Sequence, residues 1–234
     1  MAVADPEKSR DGRHAARPHE ERPSGRGSCR RRAGFRLTVK LDPATVADLA
    51  LAFRPDAWLR VLPRSHMATP LSMGFGNSRF SSPHRRFRLV YLARDLATAI
   101  AETIVRDRFE GSTDRVLDET EFEDWAVAEV SAVDPLTVLD LRTTGLLRLG
   151  VSTDAARAKT HKDGQALSEA VYGTFDADGL LYASRLTAAY CVAVYDRAVT
   201  HKLAATPAIE LLRHPGLVPA LKEIGVSLRS ARFP

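Results

Sequence analysis

The apolar residues of this chain come in short bursts, and that pattern limits the folds open to it. WLRVLP (Trp58–Pro63), FRLVYLA (Phe87–Ala93), WAVAEVSA (Trp125–Ala132), LTVLDLRT (Leu136–Thr143), GLLYAS (Gly179–Ser184) and YCVAVYDRA (Tyr190–Ala198) are each six to nine residues long. They are bounded by Gly, Pro, Asp or Ser and read as strands. Between them lie helical signals. Asp42 is placed to cap a helix that Pro43 opens, with Val46, Leu49 and Phe53 spaced for one face, after a short strand at Phe35. Asp95 is placed to cap a second helix running to about Phe109, with Gly111 as its stop. GQALSEAVYGT predicts a third, and PGLVPALKEIGVSL a last helix and strand. Short strands interleaved with helices and joined by tight links favour an α+β domain over a doubly wound one. No GxGxxG follows a strand and no GxxxxGK[ST] occurs, so neither a Rossmann site nor a P-loop is supported.

Composition narrows the class further. The 234 residues are 44% hydrophobic and 27% charged, within the range of one globular domain with a sizeable core. No segment offers about 18 consecutive apolar residues, so no membrane span is expected. Two cysteines, Cys29 and Cys191, form no CxxC, and the histidines are scattered singly. No metal site is expected, and the setting read from this is reducing and cytoplasmic. The net charge of +5 is uneven: through Ala33 there are nine basic residues against five acidic ones. Residues 1–34 therefore read as a disordered Arg-rich tail, and residues 35–234 as the domain. RGSCRRR reads either as a solvated tail or as a nucleic-acid arm.

Within the domain, RSHMATPLSMGFGNSRFSSPHRR is long and aperiodic, and loops of that kind are usually functional or disordered. On a helical wheel Leu96, Ile100 and Ile104 form the apolar centre, while Glu102 lies nearly opposite, beside Thr98 and Arg106. Two readings stay open: a surface glutamate paired with Arg106, or a carboxylate facing a water-accessible cleft. Tyr91 shares a strand face with Phe87, Leu89 and Ala93, and a core aromatic is its plain reading. Arg79 is a phosphate clamp or an ordinary loop cation, Arg60 a solvated strand cation, and Ser184 a turn serine, each taken singly.

Their order says more. WLRV, GNSRFSSP, VYLARDLATAIAE, LTVLDLRT, and DGLLYASRL with CVAVYDRA resemble, in that sequence, the motifs of the RES-domain family. That family comprises the toxins of bacterial toxin–antitoxin pairs. The resemblance covers roughly Arg60 to Ala198, and in place of the family's frequent Asn after the loop aromatic this chain has Ser81. It implies an ADP-ribosyltransferase-like α+β core of short strands with flanking helices, binding NAD as substrate without a further cofactor. It also implies a helix-turn-helix antitoxin partner, with nucleic acid met only indirectly through it. By the resemblance, Glu102 stabilises the developing ribose cation, Arg60 and Arg79 hold the pyrophosphate, Tyr91 grips nicotinamide, Phe80 joins the NAD-binding set, and Ser184 supports ribose or Glu102. Cleavage of the nicotinamide–ribose bond by water or phosphate is the expected reaction. The rivals are a mono-ADP-ribosyltransferase acting on a host protein, and a non-catalytic nucleic-acid module working through the basic tail.

Overall fold

The structure is a computed structural model and describes residues 39–230. The tail through residue 34 lies outside the described residues. So does most of the strand expected at Phe35, and Val39 and Lys40 carry no regular structure.

In chain order the elements begin with α1 (Pro43–Leu49), β1 (Ala50–Phe53), β2 (Trp58–Pro63), β3 (Leu89–Ala93) and α2 (Leu96–Ile100). Next come β4 (Val116–Asp118), β5 (Trp125–Ala132), β6 (Leu136–Asp140), α3 (Gly145–Arg148), α4 (Asp154–Arg157) and α5 (Lys162–Thr174). The chain continues with β7 (Gly179–Ala183), β8 (Tyr190–Tyr195), α6 (Asp196–Lys202), β9 (Leu203–Ala205), β10 (Ile209–Glu210), α7 (Leu217–Glu223) and β11 (Ser227–Arg229). This is the α+β arrangement that the short apolar runs predict.

One sheet runs β1-β6-β7-β8-β3-β2-β5-β10, with β9 also paired to β5, and β4 pairs β11 apart from it. Only β6 and β7 run parallel within the large sheet. A parallel neighbour needs a crossover, and α3, α4 and α5 supply it. Alternation along the central strands separates two cores. Cys191, Ala193 and Tyr195 of β8 join Leu89 and Ala93 on the face covered by α2, α5 and α7, whereas Val192 and Val194 join Val90 and Leu92 against α6. Each such fully buried aliphatic side chain contributes roughly 1.5–3 kcal/mol.

Three local expectations change. Asp42 does cap α1, accepting from the Thr45 N–H at 2.9 Å. The helix nevertheless ends at Leu49, and Phe53 sits on β1, paired with Leu136 of β6. Pairing to a buried strand overrides a spacing that suits a helix equally well. YCVAVYDRA is strand only to Tyr195, because α6 begins at Asp196. The helix capped by Asp95 stops well before Phe109: after Ile100 it widens into a π-helical turn, Ala101–Val105, and Arg106 ends it at φ 48°. Among the described residues no helix is long and apolar enough to cross a membrane.

Candidate active site

The site lies where the sheet divides. β2 and β3 share a single register pair, Leu59 with Ala93, and diverge beyond it. Residues of both strands line a cleft of about 720 Å³. Its walls are β2, β3, the loop from Gly74 to Ser81 and the end of the α2 segment.

Glu102 lies within the π-helical turn and lines this cleft together with Ala99, Thr103 and Arg106. The Arg106 N–H bonds Ala101 O at 2.7 Å, a five-residue step that rotates the following residues off a regular wheel. Arg106, expected beside Glu102, lines the cleft with it, but the wheel misplaces Thr98. Thr98, expected beside Glu102 on the open side, is 1% exposed, and its hydroxyl lies 2.9 Å from that of Thr187. Glu102 faces the same turn: Ser184 Oγ donates to Glu102 Oε1 at 2.6 Å. Arg106, the partner of the surface reading, sends its Nε to the Glu102 backbone carbonyl at 3.3 Å and not to the carboxylate. Glu102 is thus half-buried, held at one oxygen, and part of the cleft lining.

Ser184 is buried and does not line the cleft. Its Oγ also accepts the N–H groups of Leu186 at 3.0 Å and Thr187 at 3.2 Å, which locks the hydroxyl toward Glu102. A second link parallels it. Arg185 donates to Asp107 at 2.6 Å, and this bond holds the Asp107 carboxyl below the usual range. The turn after β7 and the segment after α2 are therefore tied at two adjacent points. Arg185 and Asp107 both line the cleft, and nothing in the sequence marked them apart from the adjacency of Arg185 to Ser184, which by itself singles out no partner.

The loop opposite is organised by Tyr91. Its hydroxyl accepts from Ser78 Oγ at 2.9 Å and from the Phe80 N–H at 3.1 Å, while its ring lines the cleft. Burial raises the phenol's pKa against those bonds, so it stays neutral. Ser81 closes the same loop, 2.6 Å from Ser78 Oγ and accepting the Ser78 N–H at 3.1 Å. Phe80, expected in the NAD-binding set, has no exposed surface. It packs edge-on against Tyr182 at 5.0 Å, behind the cleft wall. A ring beside an arginine loop gives no sign in the sequence of which way it turns.

Arg79 and Arg60 both line the cleft. Arg79 Nη1 donates to Ala158 O. Arg60 is not the solvated cation of its plain reading: it donates to Pro70 O at 2.6 Å and Ser72 O at 2.7 Å. Burial lowers its pKa to about 10, which leaves it charged at neutral pH. Sequence reasoning did not single out Arg88, Lys159 or His161 of the lining, and nothing in their local pattern marks them.

The electrostatic balance is one-sided. Six cationic side chains, Arg60, Arg79, Arg88, Arg106, Lys159 and Arg185, line the cleft against the carboxylates of Glu102 and Asp107. Among the described residues Arg60, Arg79 and Arg106 form no ion pair. The cleft suits an anionic ligand whose cationic or electron-poor centre meets Glu102. Cys191 also lines it, but burial pushes its thiol well up, so it offers no thiolate nucleophile at neutral pH.

Known proteins bear on this geometry. The protein of Sinorhizobium fredii named "Probable toxin y4kH" is 39% identical over 80 residues, 34% of this chain, and the match spans 63% of that protein's length. A solved structure titled as the M. tuberculosis MbcT-MbcA toxin-antitoxin complex superposes with a TM-score of 0.54 at 19% identity. It covers 73% of this chain and 93% of its own, a likeness of fold. The family model described as RES domain matches residues 57–214, from the start of β2 past β10, and contains every cleft residue named above. That span exceeds half the chain and agrees with the ordered motifs: this chain belongs to the RES domain family.

Proposed function

We propose that this protein is the toxin of a bacterial toxin–antitoxin pair and consumes NAD by cleaving its nicotinamide–ribose bond. The observation that carries this reading is the Glu102 carboxylate, fixed by Ser184 at one oxygen, in a cleft where Arg60, Arg79 and Arg106 have no carboxylate partner among the described residues. The comparisons support the toxin assignment, since the two named relatives are described as a probable toxin and a toxin–antitoxin complex.

In this reading the dinucleotide pyrophosphate takes the free guanidinium N–H groups of Arg60 and Arg79. Nicotinamide lies against the Tyr91 ring. The glycosidic C–N bond breaks with its electron pair going to the pyridinium nitrogen, which leaves as neutral nicotinamide. Positive charge develops on the ribose, and Glu102 stabilises it. A water or phosphate oxygen then bonds the anomeric carbon, and an attacking water loses its proton to solvent. Ser184 acts through Glu102 and touches no substrate. An antitoxin of helix-turn-helix type is the partner in this proposal, a cytoplasmic setting goes with it, and any nucleic acid is met through that partner.

The test follows nicotinamide release from NAD by the full-length protein and its Glu102→Ala variant, with and without inorganic phosphate. Release by the wild type and not by the variant is expected, and a phosphate-dependent rate identifies the acceptor. Equal release by both proteins overturns the role of Glu102. If neither releases nicotinamide but a lysate protein becomes labelled from NAD, the reaction is transfer to protein.

A further inference from the structure

The cleft has a second end that the proposed chemistry leaves unused. Glu102 and Ser184 lie at the C-terminal end of β3: Ala183 pairs Tyr190, whose carbonyl accepts the Arg94 N–H at 2.9 Å. The other end of the strand begins at Leu89, and Arg88 just before it lies five residues back from Ala93, about 17 Å along an extended chain. There the cleft is bordered by Gly74, Gly76, Phe87 and Arg88. Between the two glycines stands Phe75, 51% exposed, at the rim and not itself in the cleft lining. The guanidinium carbons of Arg85 and Arg88 lie over its ring, 5.8 and 5.9 Å from the centroid, so a base stacking there takes the place of one of them.

Half of a large aromatic ring left in water needs a reason, and the loop around it supplies a mechanical one. Upstream, Arg60 fixes Ser72 O at 2.7 Å. Downstream, Asn77 is fixed by His161 at its carbonyl, 3.0 Å, and by Gln165 at its side chain, 3.0 Å. Between these anchors, residues 74–76 make no hydrogen bond among the described residues, and a Cβ on Gly74 would meet nothing within 4 Å. The tip can therefore reorient its ring at little cost while its ends stay in place.

Resting on the reading above, we infer that Phe75 is the stacking platform for the adenine base of the dinucleotide, held at the end of the cleft opposite Glu102. A purine offers a flat π-face to the ring and ring-nitrogen acceptors to the flanking guanidinium donors. With the reacting ribose at Glu102 and the pyrophosphate over Arg60 and Arg79, the adenosine half extends toward Arg88. Phe75 is thus a binding and specificity residue that reads the base and leaves the bond-breaking step alone.

Removing one aromatic platform under a base weakens binding by roughly fivefold to a hundredfold. Phe75→Ala is accordingly expected to raise KM for NAD about tenfold with kcat within about twofold of wild type. It should weaken AMP, measured by calorimetry, by the same factor, and Phe75→Trp should preserve both. With nicotinamide mononucleotide, which lacks the adenosine half, wild type and Phe75→Ala should turn over alike. Unchanged KM for NAD and unchanged AMP affinity in Phe75→Ala overturn the inference. AMP binding that depends on Phe75 in a protein that never releases nicotinamide would sustain the platform and overturn the proposed reaction. NAD cleavage with AMP binding indifferent to Phe75 does the reverse.

Discussion

Ser184 and Glu102, eighty-two positions apart in the chain, share a 2.6 Å hydrogen bond in which the serine donates and the carboxylate accepts. The serine has no face on the cleft, and the glutamate does. Any contribution of Ser184 must therefore pass through the orientation of Glu102. Ser184→Ala is expected to lower kcat for nicotinamide release by up to about a hundredfold, the usual scale for a misplaced reacting group, with KM little changed. In a Glu102→Ala background the same substitution should add almost nothing, because residues that act as one unit are not additive. A double-mutant cycle on kcat checks this, and additive losses would show that Ser184 has a role of its own.

Tyr91 gives a prediction on stability. Its hydroxyl is the common acceptor for the Ser78 hydroxyl and the Phe80 N–H, so it pins the arginine loop from beneath. Tyr91→Phe keeps the ring and strands both donors. Leaving such groups unpaired costs about 1–3 kcal/mol, which for a domain of this size lowers Tm by about 2–12 °C. Thermal unfolding followed by circular dichroism measures it. An unchanged Tm would mean that water replaces the phenol without loss.

These two positions also show what the amino-acid sequence discloses. Helix starts were legible at Asp42 and Asp95, because a capping carboxylate is a local device and both do accept the expected N–H groups. β5 and β6 were legible from the short apolar runs WAVAEVSA and LTVLDLRT, though β6 ends at Asp140, short of Thr143. By contrast, β1 continues a helical spacing, and only its pairing with β6 makes it a strand. β4, β9 and β10 are two or three residues long, too short for any period to show. In the site, Glu102, Arg79, Tyr91 and Arg60 were found from ordered motifs and do line one cleft. The π-helical turn that carries Glu102, the inward turn of Phe80 and the Asp107–Arg185 bond were not legible. Each depends on which distant segment packs alongside, and local composition carries no trace of that.

Gly164 ties α5 to the Arg79 loop by having no side chain. A Cβ there would lie 2.5 Å from both Ala155 O and Arg79 O, and 2.9 Å from Arg79 Cγ. Two of those atoms are backbone and cannot rotate away. Gly164→Ala is expected to destabilise by about 1–3 kcal/mol, as overpacking does, and to raise KM for NAD by displacing Arg79. Urea denaturation and initial-rate kinetics on the same protein check both parts. A variant with wild-type stability and KM would mean that the loop and α5 separate without cost.

The last prediction concerns acid. Glu169 of α5 accepts from Ser82 Oγ at 2.8 Å, and its two oxygens each lie 2.9 Å from His84 Nδ1, which fastens the end of the long loop to the helix. Burial opposes ionisation of this carboxyl, but the bonds from Ser82 and His84 outweigh it, and its pKa is lowered. The sign follows from linkage. With a folded value below the unfolded one, the unfolded chain binds more protons in the window between them, so stability rises with pH across it. The contribution of Glu169 is fully present above the ordinary glutamate value of about 4.3 and fades as pH falls through the lower folded value. Wild type is thus expected to exceed Glu169→Gln in stability at neutral pH, with the gap closing as the medium is acidified below about pH 4. Urea midpoints for both proteins across that range decide it. A gap that stays constant with pH would assign the difference to packing and not to the charge.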